Sequence, residues 1–491
     1  MSTNPTIYFS DYFGISPQIV DDYGAVDVSL ISDLPLFIDP FLLFSSEKPD
    51  YVDLHSKMIN YLVFLKEKSS FEGILPGLLK AWFTFPEVKQ NWFGYALSGN
   101  GGSGLGIKFA KSLNRSYRNV LKNFGSEELL QSSHLEKVGL IQSGIGKDNI
   151  SDFTTNLIKE YLLSYTQEFA KQHLSQSLLK EFNVEKVYFN YETETWISKR
   201  YTLPAFGDDY ILLTPKDILT LDEMWINRND LSNKIVGIIR SLSNEVLRDQ
   251  LNNYINKALA LGSRKMREKA LAEAINRILE DNPELIDVYI KLKEDTKGEA
   301  KSDSSSKVAF VQNLLINQVR ELVGSLNAST NFYEQDRNTY DGAYARVIFL
   351  KDVIENKGGW RSFYVNGKPV NNEGNLQIMY RLAWFATILD VNREVNNGTG
   401  PVDFSISNGR DDKTLVEFKL ATNSKLFNNL ANQTESYEKA SDTRTTIKAI
   451  LYFDDKQLNK VNKALKILRL TEDRNVILID ASPKESASNL K

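Results

Sequence analysis

Apolar and polar positions alternate most cleanly toward the carboxyl end of the chain. Val402 to Ser407 and Thr414 to Ala421 carry the two-residue period of strands, and Asn408-Gly409-Arg410-Asp411-Asp412-Lys413 between them is a run of turn formers, so the pattern predicts a hairpin. Shorter strand patterns sit near 391–395, 446–453 and 475–480, and helical periods cover 374–389, 425–440 and 455–469. Upstream, Val308, Val311, Leu315, Val319 and Leu322 mark one amphipathic helix. Ile235, Ile238, Ile239, Leu242 and Val246, then Leu271, Ala274, Ile275 and Ile278, mark others. The first 225 residues mix both periods: strands at 187–189 and 211–215, a helix at 158–178. Residues 293–307 lack apolar anchors and read as a linker. The expected fold class is therefore multidomain α/β, with an α/β domain over 1–225, a helical region over 226–292, the linker, and an α/β module with a mixed sheet over 308–491.

The carboxyl-terminal hairpin places chemistry on that pattern. Glu417 and Lys419 are two apart and emerge on one face, while Val416, Phe418 and Leu420 point to the packed face. Asp403 opens the preceding strand and is expected beside Glu417. Neighbouring carboxylates repel unless a cation lies between them, and hard oxygen ligands suit Mg²⁺, with Mn²⁺ able to substitute. Lys419 would then stabilise the charge that develops on a phosphate under in-line attack. Leu426, Leu430, Gln433 and Tyr437 fall on one helical face, which would turn Gln433 toward the site. The competing account is that alternating charges are the solvated side of an ordinary strand. The agreement of strand order, hairpin and flanking side chains favours chemistry.

An Asp followed by Glu-x-Lys on the next strand resembles the PD-(D/E)XK nuclease superfamily, and the trailing Gln433-x-x-x-Tyr437 is similar to its recombination-exonuclease branch. The resemblance covers roughly the last third of the chain. It implies a restriction-endonuclease-like sandwich, a catalytic set of Asp403, Glu417, Lys419, Gln433, Glu373 and Tyr437, and a metal held by Asp403, Glu417 and Glu373. Glu373 enters because relatives carry a Glu on the helix before the first core strand. The resemblance further implies DNA as substrate ahead of RNA, and a role in bacterial anti-phage defence or restriction. A recombination or repair exonuclease, and a non-catalytic nucleic-acid sensor, stand as alternatives.

Composition narrows the field. The chain has no cysteine, which excludes disulfides, thiolate zinc sites, iron–sulfur clusters and a cysteine nucleophile. Its three histidines, His55, His134 and His173, are far apart in sequence and argue against a histidine-metal hydrolase. A net charge of -4 offers a polyanion no global attraction, so nucleic acid would have to be gripped by local basic patches and the metal. Arg337, Tyr340, Arg346, Trp360, Arg361 and Lys368, around a turn at Asn366-Gly367, could form such a patch or an ordinary half-buried face. No signal peptide or spanning segment is expected, because the apolar run 34–44 is short and broken by Pro35, Asp39 and Pro40; the expected location is cytoplasmic.

Two amino-terminal motifs complete the reading. The glycine-rich stretch 98–106 precedes a helical pattern but lacks the Gly-Lys-Ser/Thr of an ATP-binding loop, so a loop is favoured over a nucleotide site. In 144–153, Ser151 or Asp152 is expected to cap a helix. With no ATPase motif, the amino-terminal domain is assigned recognition or regulation, with room for an activating partner or ligand. A homo-oligomer is expected if two sites cut paired strands.

Overall fold

The computed structural model describes residues 7–69, 74–94, 105–119, 121, 123–141, 145–221, 223–242, 244–260, 264–320, 338–357, 359–365, 368–370, 373–384, 389–396, 401–408, 412–423, 426–427, 430 and 445–484. The expected α/β class holds.

In the amino-terminal region helices α1 (Pro49–Lys68) and α2 (Lys159–His173) pack against a long antiparallel hairpin of β1 (Leu179–Asn190) and β2 (Thr195–Phe206). The expected strand at 187–189 is thus the end of a twelve-residue one. Of the expected strand 211–215 only Pro215 pairs, in an isolated bridge with Ala25; Ile211, Leu212 and Leu213 are fully buried, so their apolar run reports burial rather than pairing. Ser151 does not cap: the helix Lys147–Leu157 begins after Gly146, and Ser151 Oγ accepts the Ile38 N–H at 2.9 Å. Of the glycine-rich stretch, 98–104 lies outside the described residues, and the helix Ile107–Asn119 follows it.

The middle region is helical as expected. In α3 (Arg228–Arg240) Leu231, Ile235, Ile238 and Ile239 are buried, and Asn227 caps the helix by accepting the Asp230 N–H. Val246, placed by periodicity on the same face, belongs to the next helix and is exposed.

The expected linker is the main correction. Apart from the turn at Thr296, residues 293–307 are helical, shared between α4 (Glu284–Asp295) and α5 (Lys297–Val311). Tertiary partners supply what the composition lacks. Lys293 Nζ lies 2.9 Å from Asp230 Oδ2 and 4.0 Å from the centre of the Trp225 ring. Ala300 and Ser304 are buried, and the Ser304 hydroxyl donates to the Leu219 carbonyl. Small residues let this helix lie close to its neighbours despite a polar sequence.

Glu294 binds the amino-terminal domain to α4. Its carboxylate lies 3.0 Å from His134 Nε2 and accepts the N–H groups of Gln131 and Ser132. His55 and His134, remote in sequence, stand with ring centres 5.7 Å apart, and both are buried. They are core histidines; burial, then His134, pushes His55 down to about 3.

The carboxyl-terminal module is a mixed five-stranded sheet with helices on both faces. After α6 (Thr339–Asn356) and α7 (Gly374–Leu382) come β3 (Asp390–Asn396), β4 (Pro401–Asn408) and β5 (Asp412–Leu420), then β6 (Thr446–Tyr452), α8 (Asp455–Ile467) and β7 (Val476–Asp480). The order across the sheet is β7-β6-β5-β4-β3, with β3–β4–β5 antiparallel and β5–β6–β7 parallel. Alternation splits the core as expected. Val416, Phe418 and Leu420 join Leu350, Leu376 and Tyr380 of α6 and α7, while Ile450 joins Val461 and Leu465 of α8. Helix α7 is shorter than the expected 374–389, and of the expected helix 425–440 only 426, 427 and 430 are described; Leu426 and Leu430 pack with Ile450. The turn at Asn366-Gly367 is outside the described residues, although Tyr364–Val365 and Lys368–Pro369 on either side pair antiparallel. Among the described residues no helix is long and apolar enough to cross a membrane.

Candidate active site

The β4–β5 ladder is regular from Asp412↔Asn408 to Val416↔Phe404, its last described pair. One step further, the same register sets Asp403 opposite Glu417. There carboxylates, rather than a neighbouring strand, take the N–H groups of β5. Phe418 N–H donates to Asp403 Oδ2 at 2.6 Å, and Leu420 N–H donates to Glu373 Oε1 at 3.2 Å. Buried backbone donors require acceptors, so the parting of two strands and the presence of two acids at that point are one arrangement.

Helix α7 supports it from the side. Glu373 stands at its N-cap position, and Gln377, one turn on, donates from Nε2 to Asp403 Oδ1 at 2.9 Å. Both oxygens of Asp403 are thereby fixed. Lys419 Nζ lies 3.8 Å from Asp403 Oδ2, with both side chains largely buried.

Glu417 is 2 % exposed. Burial pushes its carboxyl up to about 7; Lys419 and Lys448 act against this, and Asp403 adds to it. Lys448 stands beside Glu417 in the parallel β5–β6 register and is itself buried. The site thus gathers the carboxylates of Asp403 and Glu417 and the ammonium groups of Lys419 and Lys448 around the end of one strand, with Glu373 held nearby on the Leu420 N–H. Such a set can bind an oxyanion and, once both acids are ionised, a cation.

Of the expected residues, Asp403, Glu417 and Lys419 come together and Glu373 reaches the same strand at Leu420, whereas Gln433 and Tyr437 lie outside the described residues. Among the described residues, no three acidic or histidine side chains form a ready metal cage. Gln377 and Lys448 were not anticipated. Each had a legible signal: Gln377 follows Glu373 by four, and Lys448 interrupts the apolar run Ile447 to Leu451 as Lys419 interrupts its own.

The interleaved basic and aromatic residues divide. Arg346 is fully buried, donating to the Ala383 and Gly342 carbonyls at 3.0 Å each and lying 3.9 Å from the Trp384 ring centre, so it is a core residue. Arg361 lies 5.2 Å from the ring centre of Trp360. Arg337 is outside the described residues.

Two family models match the chain, each a domain of unknown function: DUF8370 over residues 14–227 and DUF8371 over residues 339–455. No curated protein and no solved structure matches. The second match begins at the first residue of α6 and contains every site residue named above.

Proposed function

We propose that the carboxyl-terminal module is a metal-dependent nuclease that hydrolyses phosphodiester bonds in DNA, built on a restriction-endonuclease-like fold. The observation that carries this reading is the convergence of Asp403, Glu417 and Lys419 where β4 and β5 part.

The donor set suits a divalent cation. Glu417 is buried beside Asp403, its charge opposed by desolvation and by that neighbour, and a hard cation would relieve both costs. Asp403 and Glu417 would hold Mg²⁺, or Mn²⁺ in its place, with Glu373 at the border of the pair. When bound, the ion would polarise the scissile phosphate and acidify a water molecule. The chain's own groups have the remaining tasks. Lys419 would neutralise charge growing on the phosphate, Lys448 would favour the ionised form of Glu417, and Gln377 would keep Asp403 oriented.

The test is incubation of the full chain with supercoiled and linear DNA in Mg²⁺ or Mn²⁺, beside Lys419→Ala and Asp403→Asn. Metal-dependent loss of DNA that both variants abolish supports the reading. Degradation of linear DNA alone would make it an exonuclease. Absence of cleavage together with calorimetric metal binding that Glu417→Ala does not alter would overturn it.

A further inference from the structure

The amino-terminal domain contains a cavity of about 420 Å³ between α1, α2 and the β1–β2 hairpin, remote in sequence from the carboxylates of the carboxyl-terminal sheet. That size falls within the usual range for small-molecule sites. Its wall is aromatic. Tyr61, Phe189 and Trp196 form a mutual cluster, with ring centres 4.9 Å apart for Tyr61–Phe189, 5.1 Å for Tyr61–Trp196 and 5.4 Å for Phe189–Trp196. Their polar tips are engaged: Trp196 Nε1 donates to the Tyr61 hydroxyl at 3.2 Å, which donates to the Trp82 carbonyl at 2.7 Å. What the cluster offers a ligand is therefore ring carbon and π density. Tyr188 and Tyr191 also line the cavity and remain 38 % and 49 % exposed, an unusual cost for large rings in a concave surface.

The charge at the rim has one prevailing sign. Asp50, Asp53 and Glu160 line it, against Lys57 alone, which pairs with Asp53 at 2.7 Å; Glu160 also meets Lys199 at 3.2 Å. The hydroxyl of Tyr161, on the same wall, is raised by burial and further by the charges of Asp217, Asp50 and Glu168, with a lowering contribution from its hydrogen bond to Tyr51. With Asp53 and Glu160 each paired to a lysine, Asp50 leaves the rim a small negative excess, which disfavours a phosphate. Aromatic faces attract cations, and Asp50, which is in neither of these ion pairs, adds to that attraction.

We propose that this cavity is a binding site for an organic cation, an ammonium or guanidinium group carried on an apolar body. The apolar part would extend along the wall toward the Tyr61, Phe189 and Trp196 cluster, and the charge would lie at the Asp50 side of the rim, beside Tyr161.

The experiment is calorimetric titration of the full chain with benzyltrimethylammonium, with neutral benzyl alcohol and with benzylphosphonate. The cation is expected to bind at least about tenfold more tightly than the neutral compound, and the phosphonate not to bind. Tyr188→Ser and Asp50→Asn, both at exposed positions, should each weaken the cation severalfold while far-ultraviolet circular dichroism stays unchanged. Equal affinity for cation and neutral compound, preference for the phosphonate, or no heat with any probe up to roughly 10 mM would overturn the proposal. So would cation binding that neither variant alters. None of these outcomes depends on DNA cleavage, so this site and the nuclease reading stand or fall separately.

Discussion

The carboxylate of Asp403 accepts the backbone N–H of Phe418 at 2.6 Å, which makes one side chain both a candidate ligand and the end of a β-ladder. Removing it therefore has two consequences that different substitutions separate. Asp403→Ala leaves the Phe418 donor without its acceptor and should cost about 1–3 kcal/mol of stability. Asp403→Asn keeps an acceptor for the Phe418 N–H and, with the Gln377 amide turned over, a partner for Gln377, so it should lose less stability than Asp403→Ala, while DNA cleavage falls by roughly two orders of magnitude or more in both. Thermal melts run beside a plasmid assay check the split; equal destabilisation by both substitutions would show that the hydrogen bond is not what matters.

Glu417 makes stability depend on pH in a stated direction. Its folded value, about 7, lies above the ordinary 4.5, so its contribution is most favourable below the ordinary value and declines as pH rises through 7. The full difference amounts to about 3 kcal/mol. Glu417→Gln should be markedly more stable than the parent at pH 8 and nearly equal to it at pH 4. Added Mg²⁺ should narrow the gap at pH 8 by stabilising the parent alone. Denaturant midpoints at the two pH values, with and without Mg²⁺, provide the measurement.

Lys448 shares the β5–β6 register with Glu417 and lowers the energy of its ionised form. Lys448→Met should move the acidic limb of the cleavage profile to higher pH, with the maximal rate largely preserved at high pH. A uniform loss at every pH would instead mark a purely structural lysine.

The contact of Glu294 with His134 has the opposite pH dependence to that of Glu417. Burial would raise Glu294, but hydrogen bonds from His134 and from the Gln131 and Ser132 N–H groups outweigh it and hold the carboxyl below its ordinary value. That stabilisation is present above the ordinary value and is lost as pH falls through the folded one. Glu294→Gln should cost about 1–3 kcal/mol at neutral pH, the scale for hydrogen bonds to a charged group, and should flatten the acid side of the melting-temperature profile. DNA cleavage measured below the melting range should be unaffected.

Periodicity and residue chemistry sufficed for much of the carboxyl-terminal module. The hairpin, the strands that carry Asp403 and Glu417, and the shared face of Glu417 and Lys419 all follow from a two-residue repeat, which is a local property of the backbone. Local signals failed where long-range partners decide. Residues 293–307 read as a linker because their polar side chains show no apolar face, yet Lys293 is satisfied by Asp230 and Glu294 by His134, each far away along the chain. The proximity of His55 to His134 and the burial of Arg346 between Trp384 and two carbonyls are of the same kind. So is the meeting of Gln377 with Asp403. Spacing along the chain determined which side chains share a face; only the packed structure decided which distant groups neutralise one another, because a polar group is buried wherever a partner offsets its lost hydration, and no local pattern records that partner.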